Sequence, residues 1–258
     1  MAPNLKEDYE IKLLLNPDVA LDPVAHKPTA ELLSLFSASP TPTQMNVQFL
    51  DDDDKSIYNA GWSPRIRRTE GKPLELTYKK RYPITGEDVH TALSAANSDG
   101  FDASDTKYEA QVEWGYSKMT LSVTREKKVD DGEVDALSLP DAEKSRKMLI
   151  DEAPGKFKDF GGTEDWGVRA LSAARVYGPI LAERYVGTWD GNVKVYVEVW
   201  PIMIRREGRV EYVTEVSFKA KKRSEGGTVR DGLIEVLREK GWLCPVDSLK
   251  TQLIMENY

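Results

Sequence analysis

Several short runs of alternating residues could do chemistry together. Asp8, Glu10 and Lys12 stand two apart, opposite Tyr9, Ile11 and Leu13. In an extended chain such residues share a face at about 7 Å intervals. Arg65 and Arg67 share a face in Pro64-Arg65-Ile66-Arg67-Arg68, and Thr77, Lys79 and Arg81 do so a little further on. Lys194, Tyr196, Glu198 and Trp200 alternate with Val195, Val197 and Val199, while Glu215, Ser217, Lys219 and Lys221 alternate with Thr214, Val216, Phe218 and Ala220. Such alternation suits the solvated outer face of a sheet as well as a cavity wall, so the charges must decide. If the polar faces meet in one lumen, it holds Lys12, Arg65, Arg67, Lys79, Arg81, Arg184 and Lys219 against Asp8, Glu10, Glu198 and Glu215. Cations outnumber carboxylates there, in a chain of formal charge −7. That surplus calls for an anion. A linear polyphosphate fits, because arginine forks grip phosphate oxygens bidentately and lysine acts as a point charge. The carboxylates would hold a divalent ion bridging the phosphates.

Strands must position these side chains. Alternating segments rich in Val, Tyr, Thr and Trp predict strands at 8–16, 44–50, 63–68, 73–82, 107–115, 117–127, 180–189, 193–204 and 210–221. Capped helical patterns occur at 28–37, 87–97, 139–151, 167–175 and 229–240, the last stopping at Gly241. The stretches 97–106 and 128–136 read as exposed loops, and DDDDK at 51–55 as a solvated turn, since it lacks the ligand order of an EF-hand. The basic run Lys219, Lys221, Lys222 and Arg223 reads as a strand continuing past a barrel rim. With no linker-like stretch, residues 1–258 are expected to form one domain. Cys244 is the only cysteine and His26 and His90 the only histidines, which excludes an internal disulfide and a Cys/His zinc cluster. A resident metal would therefore be Mg²⁺ or Mn²⁺. The negative net charge argues against a nucleic-acid surface, and no apolar run approaches the roughly 20 residues of a membrane span. The expectation is a soluble, cytoplasmic chain acting on a small molecule. Tyr196 and Trp200, with Trp62, Trp114 and Trp189, leave open an aromatic cavity wall suited to organic ligands, or ordinary packing.

Asp8-x-Glu10-x-Lys12 resembles the ExExK signature of the CYTH, or triphosphate tunnel metalloenzyme, superfamily, with Asp in the first place. NVQFLDDDDKSIYNAGWSPRIRR resembles that family's next strand, its YFDT turn and its G-x-x-LRIR strand. LELTYKKRYP resembles its LTLK strand, GPILAERYVGTW a later Arg-bearing strand, and YVTEVSFKA the closing EIE-x-K strand; the final helix and the segment from Ser248 to Met255 also match. The ordered set covers most of the chain. The resemblance implies an α+β fold, an eight-stranded antiparallel tunnel β-barrel with covering helices, whose lumen binds a triphosphate or related anion. It also implies that Asp8, Glu10 and Glu215 position the metal and that Lys12, Arg65, Arg67, Lys79, Arg184 and Lys219 grip phosphates. Metal-bound water would attack the terminal phosphorus, oriented by Glu10 or Glu215.

Two departures stand out. Asp8 shortens a metal ligand by a methylene, and Ser217 replaces the second Glu of the closing pair. The leading expectation is a metal-dependent phosphohydrolase acting on an inorganic or organic triphosphate, with Glu10, Lys12 and Glu215 catalytic. Ser217 and the aromatic residues favour two others: a tunnel redirected to a hydrophobic substrate as a cyclase or cycloaddition catalyst, and a non-catalytic binder of polyphosphate.

Overall fold

Each alternating segment becomes a strand: β1 (Glu7–Leu15), β2 (Thr43–Asp51), β3 (Trp62–Thr69), β4 (Leu74–Ile84), β5 (Glu109–Trp114), β6 (Met119–Val129), β7 (Arg175–Trp189), β8 (Val193–Ile204) and β9 (Arg209–Ala220). The computed structural model describes residues 2–130, 132, 137–247 and 250–258, so Ser248 and part of the expected loop at 128–136 lie outside the described residues. The strands close into a barrel in the order β1-β5-β6-β4-β3-β2-β7-β8-β9. This corrects the eight-stranded, wholly antiparallel barrel in two ways. The ring has nine strands, and an odd ring cannot reverse direction at every step. The pairs β1·β9, β2·β3, β3·β4, β7·β8 and β8·β9 are antiparallel. β7 begins five residues before the expected segment at 180, because Pro179, a residue scarce inside strands, masked its start.

The helices among the described residues are α1 (Pro17–Ala20), α2 (Ala30–Leu35), α3 (Ser56–Asn59), α4 (Val89–Ser98), α5 (Ala142–Asp151), α6 (Gly155–Lys158), α7 (Trp166–Ser172), α8 (Arg223–Glu239) and α9 (Lys250–Asn257). None is long and apolar enough to cross a membrane. Side-chain caps start several of them. Thr29 accepts from the Leu32 N–H before α2, Asp88 from Thr91 before α4, and Asp141 from Lys144 before α5. The chain divides into two compact units, one chiefly of residues 45–111 and 120–180, the other of 8–44, 112–119 and 181–258.

In the first unit the apolar faces of β3 and β4 carry Trp62, Ile66, Leu76 and Tyr78, all buried. Trp62 packs edge-on against Phe157 at 5.2 Å and Phe160 at 5.9 Å, and lies 6.0 Å from Phe101. Phe101 is thus core, not part of an exposed loop. Asp51 corrects the solvated turn in the same way. It is 1% exposed and accepts the N–H groups of Asp52, Ile57 and Tyr58 at 2.9, 3.0 and 2.7 Å, which fixes the entry to α3. Asp51→Ala would strand these donors and is expected to cost about 2–4 kcal/mol of unfolding free energy. A urea midpoint unchanged within error would contradict that role.

In the second unit Val195 and Val197 of β8 lie opposite Phe218 and Val216 of β9, which in turn face Ile11 and Leu13 of β1. All six are buried. α8 covers this face with Leu233, Ile234 and Leu237. Gly226 allows the close approach, since a Cβ there would stand 3.0 Å from Ile11 Cδ1. The same glycine and Gly227 hid the first turns of α8, which starts at Arg223 rather than 229. The basic run therefore does not prolong β9: the strand ends at Ala220, and Lys222 stands just before the first turn of α8.

Candidate functional site

The register of the second unit gathers its chemistry on the polar face of β1, β9, β8 and β7. Glu10 lies opposite Lys219 and Lys12 opposite Ser217; Ser217 faces Tyr196, Glu215 faces Glu198, and Glu198 faces Arg184. Glu198 is the centre of the group. Its Oε1 accepts Arg184 Nε at 2.8 Å and Nη2 at 2.7 Å, while its Oε2 accepts Trp200 Nε1 at 2.8 Å and Lys250 Nζ at 2.6 Å. Lys250, the first residue of α9, also reaches Glu215 Oε1 at 3.0 Å and lies over the Trp200 ring at 4.6 Å. Lys12 pairs with Glu10 at 2.8 Å and with Glu113 of β5 at 3.4 Å.

Burial opposes charge on all these groups, and the neighbours decide the outcome. Desolvation would raise the Glu198 carboxyl, but Lys250 and Arg184 overcome it and hold Glu198 below the ordinary glutamate range. For Glu215 desolvation prevails over Lys250 and Lys12, and its carboxyl is held above that range. Lys12 and Lys250 are desolvated too, yet the glutamates around each keep both ammonium groups firmly charged.

The first unit builds a second polar face on β3 and β4, where Arg65 lies opposite Thr77, Arg67 opposite Glu75 and Ser63 opposite Lys79. Arg65 Nη2 reaches Thr77 Oγ1 at 3.0 Å and Glu75 Oε1 at 3.3 Å, with Glu126 of β6 at 3.8 Å; Arg67 Nη2 binds the same Glu75 oxygen. Arg81 donates to Ser63 at 2.9 Å. Buried Nε groups of Arg65 and Arg67 find no acceptor. Burial and the nearby Arg67 lower the Arg65 guanidinium to about 10, still charged at neutral pH.

The predicted residues thus separate into groups. Lys12, Glu10, Arg184, Tyr196, Glu198, Trp200, Glu215 and Lys219 share the second unit's face; Arg65, Arg67, Lys79 and Arg81 share the first's. Lys219 is exposed, and with Asn192, Val193, Lys194 and Tyr196 it lines a cavity of about 290 Å³. Asp8 stands at the exposed end of β1, paired with Lys221 at 2.5 Å. Trp62 is on the covered side of β3 and Trp189 packs near Phe36, so both serve packing. Sequence reasoning missed Glu75, Glu113, Glu126 and Lys250. Glu75 and Glu113 occupy the right parity of their strands, a signal that could have found them. Lys250 gave none, because its place depends on how α9 returns over β8.

The donor set does not fit a divalent ion. Among the described residues no three His, Cys, Asp or Glu groups converge to hold a metal, and the expected ligands Asp8, Glu10, Glu198 and Glu215 each pair with a lysine or arginine.

No family model matches the chain, and no curated protein sequence does. Solved structures do share its architecture. One is a Hippeastrum protein described as a candidate adenylyl cyclase with a dominant triphosphatase activity, at 18% identity over 96% of this chain and 94% of that one, TM-score 0.56. Another is a Bacillus halodurans protein described as a candidate adenylate cyclase, at 12% identity over 96% of each chain, TM-score 0.52. At these identities the likeness establishes the fold.

Proposed function

We propose that this chain, whose barrel has the CYTH-like fold, binds a tripolyphosphate or an organic triphosphate and hydrolyses its terminal phosphoanhydride bond. The observation that carries the reading is the face of β3 and β4, where Arg65 and Arg67 share one oxygen of a largely buried carboxylate, Glu75, and Lys79 and Arg81 follow on the same side of β4. Guanidinium groups that share one carboxylate oxygen keep N–H donors to spare, and a chain of phosphates offers acceptors for them. An oxyanion that draws the guanidinium groups round would also satisfy the Nε–H donors of Arg65 and Arg67, each costing about 1–3 kcal/mol while unpaired. The triphosphatase activity of the Hippeastrum protein supports the same reaction class.

Within the second unit, Glu10 is part-exposed and held by Lys12, an arrangement suited to orienting a water and taking its proton. Water adds to the terminal phosphorus, the bridging P–O bond breaks, and diphosphate and orthophosphate leave. Lys12 and Lys219 are the cations on that face that can stabilise charge on a transferring phosphoryl group. A Mg²⁺ or Mn²⁺ requirement, and ligand roles for Asp8, Glu198 and Glu215, find no support in this donor geometry.

A second reading, a non-catalytic phosphate binder, is favoured by the complete ion pairing of Glu198. The hydrophobic-substrate reading loses its chief residue, because Trp200 commits its N–H to Glu198 and its ring to Lys250. Phosphate release from tripolyphosphate, ATP and a prenyl diphosphate decides among them. Release from the triphosphates is expected, falling at least ~100-fold in Glu10→Gln, the scale of losing a group that acts at the reacting centre. Binding without release would leave the binder; no binding and no release would defeat both.

A further inference from the structure

Glu198 and Glu215 lie directly opposite each other on β8 and β9, each about 5% exposed. Like charges in that position repel, and burial strengthens the repulsion, so a cation between them relieves it. In many carboxylate sites a divalent ion fills that place. Here an ammonium does. We propose that Lys250 is a tethered cation that occupies the metal position between Glu198 and Glu215, making this carboxylate pair independent of divalent ions.

Three observations carry the inference. Lys250 Nζ bridges the pair, 2.6 Å from Glu198 Oε2 and 3.0 Å from Glu215 Oε1. Glu198 is saturated: a carboxylate offers about four lone-pair sites, and Arg184 takes two, Trp200 one and Lys250 one. A metal could bind only by expelling one of these donors. Charge is also balanced, since the two carboxylates meet Lys250 and Arg184, and an added divalent ion would leave an excess of positive charge in a desolvated place. The anchor is built to last. α9 buries Ile254 and Met255, and Tyr258 just beyond it accepts the Met203 N–H at 3.1 Å, so its first residue is held over β8. Ser217, where the resemblance leads one to expect a further carboxylate, agrees: with an ammonium in place, an additional negative group beside it has no ion to bind.

The inference concerns the protein's own cation and does not depend on phosphate being the ligand. Its test uses Mn²⁺ alone, titrated by calorimetry into wild type, Lys250→Met and Lys250→Met/Glu198→Gln, without any phosphate. Lys250→Met exposes the pair and is expected to bind Mn²⁺ at least ~10-fold more tightly than wild type, a gain the added Glu198→Gln removes. Wild-type Mn²⁺ binding that Glu198→Gln or Glu215→Gln weakens ~10-fold would overturn the proposal, as would a Lys250→Met protein that binds no better than wild type. Should Lys250→Met be unfolded in metal-free buffer, thermal unfolding is followed with Mn²⁺ present. A cooperative transition restored by Mn²⁺ upholds the proposal, and its absence overturns it. Phosphate affinity is measured separately with Arg65 and Arg67 variants, so failure of one reading does not hide the other.

Discussion

Replacing Arg65 and Arg67 together by alanine is expected to weaken tripolyphosphate binding by about 100-fold or more. Each guanidinium supplies a charge-assisted hydrogen bond of about 1.5–3 kcal/mol, and two that share Glu75 are not fully additive, so the lower end of the sum applies. Loss of the arginines also leaves Glu75 as a part-buried carboxylate, which repels an anion and deepens the effect. The opposite substitution separates charge from structure. Glu75→Gln removes the competitor for both guanidinium groups and is expected to tighten binding, with the arginines untouched. If the double variant folds and binds as wild type does, this face is not the anion site.

Glu198→Ala is expected to destabilise the protein by about 3–5 kcal/mol, the cost of breaking a buried ion pair and leaving its partners uncompensated. Arg184 loses its bidentate acceptor, Trp200 its acceptor, and Lys250 keeps only Glu215. Glu198→Gln, which can still accept from some of these donors, should cost less. The pH dependence follows from the directions of the shifts. Glu198 titrates below its unfolded value, so it contributes stability that is present above an ordinary glutamate pKa of about 4.3 and lost as pH falls below it. Glu215 is shifted the other way and offsets part of this, because its folded form takes up a proton more readily. The acid-side loss of stability should therefore be smaller in Glu198→Ala than in wild type. Chemical denaturation at several pH values checks both statements, and a cost below ~1 kcal/mol would place Glu198 outside any buried network.

Much of this was legible in the sequence, for a simple reason. A period of two fixes which side chains share a face, so Asp8-Glu10-Lys12, Arg65-Arg67 and Glu215-Ser217-Lys219 could be assigned to faces before any register was known. The alternating segments themselves became the nine strands, whereas the count of eight came from the resemblance. What alternation cannot give is which face meets which. Arg184 and Glu198 are partners only through the β7·β8 register, and Lys250 joins them only because α9 returns across β8. Nor does parity reveal the state of a carboxylate. Glu10, Glu198 and Glu215 looked like metal ligands because they share a polar face, yet the donors that neutralise Glu198 and Glu215 come from other elements. Asp51 shows the same limit: a run of four aspartates reads as solvated, and only the backbone groups around the first reveal that it is buried.

Calorimetric titration of the wild-type protein with tripolyphosphate, diphosphate and orthophosphate, in EDTA, tests the central claim most directly. The cationic strand faces predict saturable binding that tightens with the number of phosphates, weakens with added salt, and needs no divalent ion. Absence of binding to all three, or tripolyphosphate binding that appears only when Mg²⁺ or Mn²⁺ is supplied, would contradict it.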